Sequence, residues 1–217
     1  MPTPQRKKMT QRALDALETK NTLHSTALML FTKRGYDKVT IDDITRYASV
    51  SKGTFYNHFD SKDAVLVEQF HKIDDHYEQV FKRIDPNESA IGRLQVLFSA
   101  MCEFCSVVCG VDTMRVVYIN QISQGRKPTI LTNRSRPFYT LLTTIIELGQ
   151  KNGEFTKHIP VNELVDMLAQ GARSILYEWC LHDGSYDLNA AGHRVVQFFY
   201  NYVRYVESSP DKAFDLI

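Results

Sequence analysis

The residues best suited to chemistry lie between Thr40 and Asp63, in the run TIDDITRYASVSKGTFYNHFDSKD. Within this run, residues 52–58 are predicted to form a short helix. Phe55 and Phe59 are four residues apart, so both point to one buried side. At about 100° per residue, the opposite face and its flanks carry mostly polar side chains. These positions are Lys52, Gly53, Thr54, Tyr56, Asn57 and His58.

This face carries the groups that recognise duplex DNA. Asn57 can pair bidentately with adenine, and Thr54 can meet a base edge or a thymine methyl group. Gly53 has no side chain, so the helix backbone can come close to a partner. Phosphate contacts suit Lys52, Tyr56 and Lys62. The alternative is a solvated surface helix, but helices this short rarely carry so many aromatic side chains without a partner.

Three helix starts position this face. Thr40 completes the predicted DNA-contact set and, with Asp43, has the spacing of a capping box, in which Asp replaces the usual Glu or Gln. Ser51 follows a tight turn and can cap the short helix, and Ser61 can cap the next one. Two short helices joined by about three residues form a helix-turn-helix unit.

The same run resembles the DNA-binding domain of the tetracycline-repressor (TetR/AcrR) family, whose motif is approximately T-x-x-x-I-A-x-x-A-G-V-S-x-G-x-x-Y-x-x-F-x-x-K-x-x-L. The agreement keeps one register and covers residues 20–70. The matching positions are Thr40, Ile44, Ala48, Val50, Ser51, Gly53, Tyr56, Phe59 and Lys62, with Val65-Leu66 displaced by one place. Thr45 and Ser49 depart from the pattern, which usually has Ala and Gly there, so the turn lacks its most permissive residue.

Charge is distributed unevenly along the 217 residues. Residues 1–62 hold 11 Lys and Arg against six Asp and Glu, and the remainder holds 15 against 19. A basic amino-terminal quarter on an acidic body is typical of a DNA reader that carries a second domain. The basic segment at residues 1–18, with Arg6-Lys7-Lys8 and Arg12, is either a flexible arm that touches DNA or a solvated tail.

The pattern after residue 63 is helical throughout, so the sequence predicts an all-α fold. We expect a basic arm at 1–18, a helix-turn-helix domain at 19–66, and a helical ligand-binding and dimerisation domain at 67–217. The later helices are expected at about 91–109, 111–123, 138–152, 160–182 and 188–206, with breaks at 85–87, 125–128 and 153.

The last two helices provide the expected dimer surface, because the family resemblance implies a two-fold dimer built there. The final helix has a broad apolar stripe, and the helix before it has small side chains that permit close approach. The predicted interface residues are Ala169, Ala172, Val195, Phe199, Tyr202 and Val206. A dimer on a palindromic operator doubles the contacts of one short helix, at a spacing of about 34–36 Å. The alternative is that both helices belong wholly to the core of one chain.

The resemblance also implies that the middle helices enclose the site of a small-molecule effector. The inward-facing candidates are Met101, Phe104, Cys105, Tyr118, Gln121, Phe138, Arg173, Tyr177 and Trp179. A cavity lined by apolar and aromatic side chains suits a hydrophobic or amphipathic ligand. A buried Arg173 requires an anionic group, from the ligand or from an acid such as Glu178. Ordinary core packing is the alternative for each candidate.

Cys102, Cys105 and Cys109 share one helix stripe. They support an alternative regulator that senses oxidants or a soft metal through its thiolates. Their neighbours are apolar, however, and buried cysteine usually behaves as a small hydrophobic residue. We expect no cofactor and no metal site, because the seven histidines form no zinc-ligand spacing.

A helical enzyme with an added DNA-binding domain is the alternative from a different class. The sequence contains no G-x-S-x-G, P-loop or G-x-G-x-x-G motif to support it. No apolar run approaches the roughly 20 residues that span a bilayer, and the amino terminus has no signal-peptide core. We therefore expect a cytoplasmic, ligand-responsive DNA-binding regulator that acts as a repressor and has no membrane partner.

Overall fold

A computed structural model of the chain describes residues 10–123 and 130–208. These ranges contain nine α-helices and no strand, which confirms the all-α fold. The helices are α1 (Gln11–Arg34), α2 (Ile41–Tyr47), α3 (Lys52–Tyr56), α4 (Lys62–Phe81), α5 (Ala90–Glu103), α6 (Val111–Ser123), α7 (Pro137–Asn152), α8 (Val161–Leu181) and α9 (Leu188–Ser208). A π-helical turn, Phe104–Cys109, follows α5, and a 3-10 turn, Ile130–Thr132, precedes α7.

The chain divides into two compact units, Met1–Gln69 and Phe70–Ile217, a division within α4 that falls three residues after the predicted one. The predicted boundary between arm and domain at residues 18–19 falls inside α1. That helix begins at Gln11, since the hydroxyl of Thr10 accepts a hydrogen bond from the amide of Ala13 at 3.4 Å. The predicted arm segment Arg6-Lys7-Lys8 and the predicted break at 125–128 lie outside the described residues.

The amino-terminal unit has a small core in which Phe31, Ile44 and Phe55 are fully buried. The predicted capping box opens α2. The amide of Asp43 donates to the Thr40 hydroxyl at 3.1 Å, and the amide of Thr40 donates to the Asp43 carboxylate at 3.0 Å. Hydrogen bonds from the Thr40 hydroxyl and amide also hold the pKa of the Asp43 carboxyl below its usual value. An aspartate therefore takes the place of the usual glutamate in this cap.

The turn between α2 and α3 accommodates both departures from the family motif. Ser49 has a φ of 56°, a left-handed conformation that costs a residue with a Cβ roughly 1–2 kcal/mol. Thr45 is buried, and its hydroxyl donates to the carbonyl of Ile41 at 3.0 Å. The amide of Val50 donates to the carbonyl of Thr45 at 3.0 Å. The turn is therefore closed by hydrogen bonds, but it carries local strain at Ser49.

The second unit is built around α5, which packs against α7 and α9 and buries Leu94, Leu97 and Phe98. With the π-helical turn it forms a stretch of 20 residues, Ala90–Cys109, with a mean hydropathy of 1.4. By length and composition alone this stretch can cross a bilayer, so the expectation that no run approaches that length is wrong. Of this stretch, 44% is buried by the other helices, a pattern that core helices also show.

The end of α7 is fixed by two glycines. Gly153 adopts the left-handed conformation predicted for a helix C-terminal cap, with a φ of 76°. At Gly149, an added Cβ would lie 2.1 Å from the ring of Phe155. That ring is buried and contacts Phe199 of α9, with ring centroids 5.6 Å apart. The missing side chain at Gly149 therefore lets Phe155 lie against α7 and join it to α9.

The left-handed turn makes a prediction about stability. Ser49→Gly should unfold with a free energy about 1 kcal/mol higher than Ser49→Ala, because only glycine adopts this conformation without steric cost. At an ordinary helical position the order is reversed, and alanine is favoured by about 1 kcal/mol. Urea unfolding of the two purified variants measures the difference. A more stable alanine variant would contradict the left-handed geometry.

Candidate DNA interface and effector site

The recognition helix α3 is shorter than the predicted range of 52–58. It begins at Lys52 because the hydroxyl of Ser51 accepts from the amide of Thr54 at 3.0 Å. It ends at Tyr56 because the amide of His58 bonds only three residues back, to the carbonyl of Phe55 at 2.9 Å. Residue 57 is its C-terminal cap.

The two faces of α3 confirm the predicted sorting. Phe55 and Phe59 are buried below the helix with their ring centroids 5.8 Å apart. The exposed positions are Lys52, Gly53, Tyr56 and Asn57. Thr54 and His58 are half-buried, and the Thr54 hydroxyl lies 2.8 Å from that of Ser51. The outward side of the helix therefore presents an amide, a phenol, an ammonium group and bare backbone.

Nothing in the described part of the protein requires a glycine at position 53. An added Cβ would meet only the Ser51 hydroxyl oxygen, at an ordinary contact distance of 3.6 Å. The backbone of Gly53 is also not among the positive-φ positions. Glycine within a helix costs roughly 0.5–1 kcal/mol relative to alanine, so the stability of the helix does not favour glycine at this position.

The two lysines beside α3 differ in their surroundings. Lys52 is exposed and pairs with Asp42 at 3.0 Å, a hydrogen bond that raises the pKa of Lys52. Such an exposed pair contributes little and leaves the ammonium group accessible. Lys62 donates to the carbonyl oxygens of Tyr36 and Val39 at 2.9 and 2.7 Å, and its ammonium lies 4.4 Å from the Tyr36 ring centre. The Lys62 ammonium thus joins the loop after α1 to the start of α4, which differs from the predicted phosphate contact.

Arg46 and Tyr47, an exposed pair at the end of α2, are absent from the predicted DNA contacts. Tyr47 is 52% exposed, and the guanidinium of Arg34 donates to its hydroxyl at 2.6 Å while lying 5.1 Å from its ring centre. Arg46 beside it is also exposed. The sequence signal for this surface was the Arg46-Tyr47 dipeptide directly before the turn, because a cation and a phenol commonly contact phosphates.

A cavity of about 410 Å³ in the second unit brings four of the nine effector candidates together. They are Tyr118, Gln121, Arg173 and Tyr177. The remaining lining residues are Ile122, Leu131, Thr132, Gln170 and Ser174. The volume is in the range of small-molecule sites, roughly 300–1,000 Å³.

Arg173 is the charged group of this cavity. Its Nη1 donates to the Tyr139 hydroxyl at 2.8 Å, and its carbonyl accepts from the Tyr118 hydroxyl at 3.0 Å. Burial raises the pKa of Tyr118, so that hydroxyl stays protonated. Within residues 10–123 and 130–208, Arg173 has no carboxylate partner, and Glu178 lies near His182 at 3.6 Å instead. A half-buried guanidinium without a paired anion favours an anionic ligand group.

The other five effector candidates lie outside this cavity's lining. Met101, Phe104, Cys105, Phe138 and Trp179 are all buried. Aromatic contacts place two of them against α4. The Phe104 ring lies 5.4 Å from that of His76, and the Phe138 ring lies 5.7 Å from that of Tyr77. Their burial agrees with core packing, which was their alternative interpretation.

The cysteines lack the features of a thiol sensor. Burial raises the pKa of Cys102 to about 12 and that of Cys180 to about 11. A hydrogen bond with Cys109, together with burial, raises the pKa of Cys105. The reactive form of cysteine is the thiolate, which these shifts disfavour. In the part of the chain that the structure describes, no group of three or more His, Cys, Asp or Glu side chains could hold a metal ion.

The predicted dimer residues of α8 and α9 differ in their burial within the single chain. Ala169, Ala172, Phe199 and Val206 are buried within the single chain. Val195 and Tyr202 are half-buried. Phe199 and Val206 face inward in a stripe that α5 and α8 cover, and Val195 lies at the open edge of this stripe. The open apolar surface lies beside it, in a groove of about 680 Å³ between α8 and α9, where Phe198 is 75% exposed.

Comparison with known proteins links both units to bacterial regulators. Residues 23–68 match the family model described as bacterial regulatory proteins, tetR family. Residues 70–201 match the model of the YsiA-like protein C-terminal region. The HTH-type transcriptional repressor DhaR of Mycobacterium sp. (strain GP1) is 30% identical over 146 residues, which are 64% of this chain and 71% of DhaR.

Solved structures share the fold at low sequence identity. FadR from Bacillus subtilis, in complex with stearoyl-CoA, superposes with a TM-score of 0.68 at 18% identity, over 83% of this chain and 97% of that one. Thermus thermophilus FadR, in complex with lauroyl-CoA, gives 0.60 at 19% identity, over 83% and 92%.

Proposed function

The chain belongs to the TetR family of bacterial regulatory proteins, and from that premise we propose that it is a transcriptional repressor released from its operator by a small molecule. The observation that carries the proposal is the anchoring of α3 by Phe55 and Phe59, which leaves an outward face of DNA-binding groups. Its relative DhaR is a repressor, which supports a regulator over an enzyme. A bacterial repressor acts in the cytoplasm, where the chromosome lies.

In the proposed complex, α3 lies in the major groove. Asn57 reads a base edge, and Gly53 lets the backbone come close. Phosphate and flanking contacts come from Thr40, Lys52, Thr54, Tyr56 and His58, with Lys62 holding α4 in place. The exposed Arg46 and Tyr47 add further phosphate contacts.

The Gly53→Ala variant should change the stability of the protein and its affinity for DNA in opposite directions. The free energy of unfolding should rise by about 0.5–1 kcal/mol, because alanine favours a helix and has room at this position. Operator affinity should nevertheless fall by about tenfold, which corresponds to 1.4 kcal/mol, because the methyl group meets DNA. Urea unfolding and fluorescence anisotropy with an operator selected from a random duplex pool measure the two effects.

Two further variants act as controls for this prediction. Asn57→Ala should lose about 1–3 kcal/mol of discrimination between the operator and random duplex, because it removes a base contact. Lys52→Ala should lower the affinity for both duplexes by the same factor and reduce the salt dependence of binding, because it removes a phosphate contact. Unchanged operator affinity in Gly53→Ala would exclude α3 from the groove.

We propose that the partner at the α8–α9 groove is a second copy of the chain. The groove is apolar at Met167, Val195 and Phe198 and carries opposite charges at Glu178 and Arg194. In a two-fold interface the same patch meets itself, so Arg194 of one copy can pair with Glu178 of the other. Two such copies place two recognition helices on a palindromic operator.

Phe198→Glu should give a monomer, because the carboxylate lies at an apolar centre that only a partner covers. Operator affinity should fall by about a hundredfold or more, because the two half-sites are no longer linked. Analytical ultracentrifugation and anisotropy measure the two results. The matched control is Val107→Glu, which changes another exposed apolar residue, 77% exposed and far along the chain from the groove. A dimeric Phe198→Glu protein would rule out this surface.

We propose that the effector is an amphipathic anion that binds the cavity around Arg173. The Arg173 guanidinium, which has no carboxylate partner among the described residues, takes the anionic group, and Tyr118, Leu131 and Tyr177 contact the apolar part. Two structural neighbours are complexes with stearoyl-CoA and lauroyl-CoA, ligands that join anionic phosphates to an apolar chain. A free-energy coupling of about 1–3 kcal/mol between effector and operator is enough for regulation.

Arg173→Gln should weaken binding of lauroyl-CoA by about tenfold or more, because a charge-assisted hydrogen bond contributes about 1.5–3 kcal/mol. Isothermal titration calorimetry on the purified dimer measures the affinity. Arg134→Gln is the matched control, because that exposed arginine already pairs with Asp166. An equal loss in both variants would indicate only general attraction to the ligand's charge, and no loss in either would remove Arg173 from the site.

A further inference from the structure

The effector cavity has a buried floor and an exposed rim. Tyr118 and Gln121 are buried and form the floor. The rim consists of side chains that are open to solvent, which are Ile122, Gln170, Ser174 and Tyr177. Ile122 is the most open of these large apolar groups, at 68% exposed. A ligand in this cavity therefore has one end against buried groups and the other end at the solvent.

The charge of the cavity lies at its floor. Among the described residues that line the cavity, only Arg173 carries a charge. Its Nη1 donates at 2.8 Å to the hydroxyl of Tyr139, which is buried. Its carbonyl accepts from the hydroxyl of the buried Tyr118 at 3.0 Å. The cation is thus held by buried groups, while the described part of the rim is apolar or neutral.

One edge of the Arg173 guanidinium is open to a ligand. Nη1 makes the tyrosine contact, while Nε and Nη2 have no partner within residues 10–123 and 130–208. In Arg136 the same edge donates to both carboxylate oxygens of the buried Asp74, at 2.9 and 2.8 Å. The two N–H groups of this edge match the two oxygens of one carboxylate. The open edge of Arg173 therefore suits the carboxylate of a ligand.

The neighbouring arginines are already paired. Within residues 111–123 and 130–181 the pairs are Arg115 with Asp183, Arg134 with Asp166, and Arg136 with Asp74. Arg173 is the one arginine of these ranges without a carboxylate partner. A single guanidinium balances one negative charge, whereas each phosphate monoester carries about −1.5 to −2 at pH 7. The site therefore balances one carboxylate better than it balances the phosphates of coenzyme A.

The volume of the cavity sets a similar limit. A cavity of about 150 Å³ holds one benzene ring, so a cavity of about 410 Å³ holds roughly 16 non-hydrogen atoms. A fatty acid of medium chain length or a substituted aromatic acid has this size. Coenzyme A is several times larger, so most of an acyl-CoA has to remain outside.

We propose that the effector is a free monocarboxylic acid that enters the cavity head first, with its carboxylate on Arg173 and its apolar end at Ile122 and Tyr177. An acyl-CoA requires the reverse polarity, an apolar floor and a cationic rim, because its acyl chain is the part that a cavity buries. The inference rests on the proposed function for the place of the site, and it narrows the amphipathic anion to one chemical class.

Isothermal titration calorimetry on the full-length protein compares laurate with lauroyl-CoA and with neutral dodecanol. Laurate should bind at least tenfold more tightly than either, because it alone combines one negative charge with a size that fits. Arg173→Gln should weaken laurate by about tenfold or more, since it removes charge-assisted hydrogen bonds, and should have little effect on dodecanol. Tighter binding of lauroyl-CoA than of laurate, lost in Arg173→Gln, would overturn the inference and leave the broader effector class standing.

A cation on the rim tests the direction of binding. Ile122→Lys should weaken laurate by about fivefold, because the tail loses an apolar contact. A carboxylate at the rim would instead gain an ion pair and bind more tightly. Ile119→Lys is the matched control, because this residue of the same helix is 62% exposed and outside the cavity lining, and its affinity for laurate should be unchanged. Tighter laurate binding in Ile122→Lys alone would overturn the head-first orientation.

Operator binding separates this inference from the proposed function. Laurate bound at Arg173 should lower the affinity for the selected operator by about fivefold or more, and Arg173→Gln should abolish that effect. Arg173-dependent binding of laurate with unchanged operator affinity would support the head-first site and reject its role as the effector site. Absence of Arg173-dependent binding of both laurate and lauroyl-CoA would overturn the inference and the proposed effector site together.

Discussion

The burial of Phe55 and Phe59 beneath a helix of five residues is the constraint on which the DNA-binding surface depends. A helix this short is not stable alone, because helix nucleation is unfavourable and five residues form too few hydrogen bonds to offset its free-energy cost. Its conformation comes from the Ser51 cap at one end and the two rings below. Every outward group is therefore positioned by an inward contact, and the outward side takes no part in the packing that holds the helix.

The carboxyl-terminal pair of helices leaves one apolar side of α9 partly uncovered. α9 uses one stripe against α5 and α8 of its own chain and leaves the neighbouring stripe, with Phe198, uncovered. Close approach of α8 and α9 depends on Gly171, where an added Cβ would lie 2.8 Å from Val195. A small residue on α8 thus serves packing inside the single chain, while Phe198 remains exposed on α9.

Local signals in the sequence predicted much of the fold. Local interactions set the bounds of α6, the end of α7 at Gly153 and the cap at Thr40. The residues involved lie within a few positions of each other, so the sequence alone identifies them. The π-helical turn after α5 has no such local signal, because an apolar run looks the same in either helix type. The choice between adjacent stripes of α9 has no local signal either, since it depends on which neighbour packs there.

The sites divide in the same way. The inward and outward residues of α3 followed from helical periodicity, and four cavity residues followed from charge and aromaticity. The Asp74–Arg136 pair, 62 positions apart, and the carbonyl contacts of Lys62 could not be foreseen, because they are set by tertiary structure. A lone charged residue in a sequence does not reveal whether its partner is solvent, phosphate or a distant backbone oxygen.

The contact between Gly149 and Phe155 has a consequence for how this family member can diverge. No side chain fits at 149 while the phenyl ring occupies its present place, and a smaller residue at 155 would leave a void beside Phe199. The two positions are therefore linked in evolution. A sequence that gains a methyl group at position 149 needs a smaller side chain at position 155. Either change made alone disturbs the packing, by a clash in one case and a void in the other.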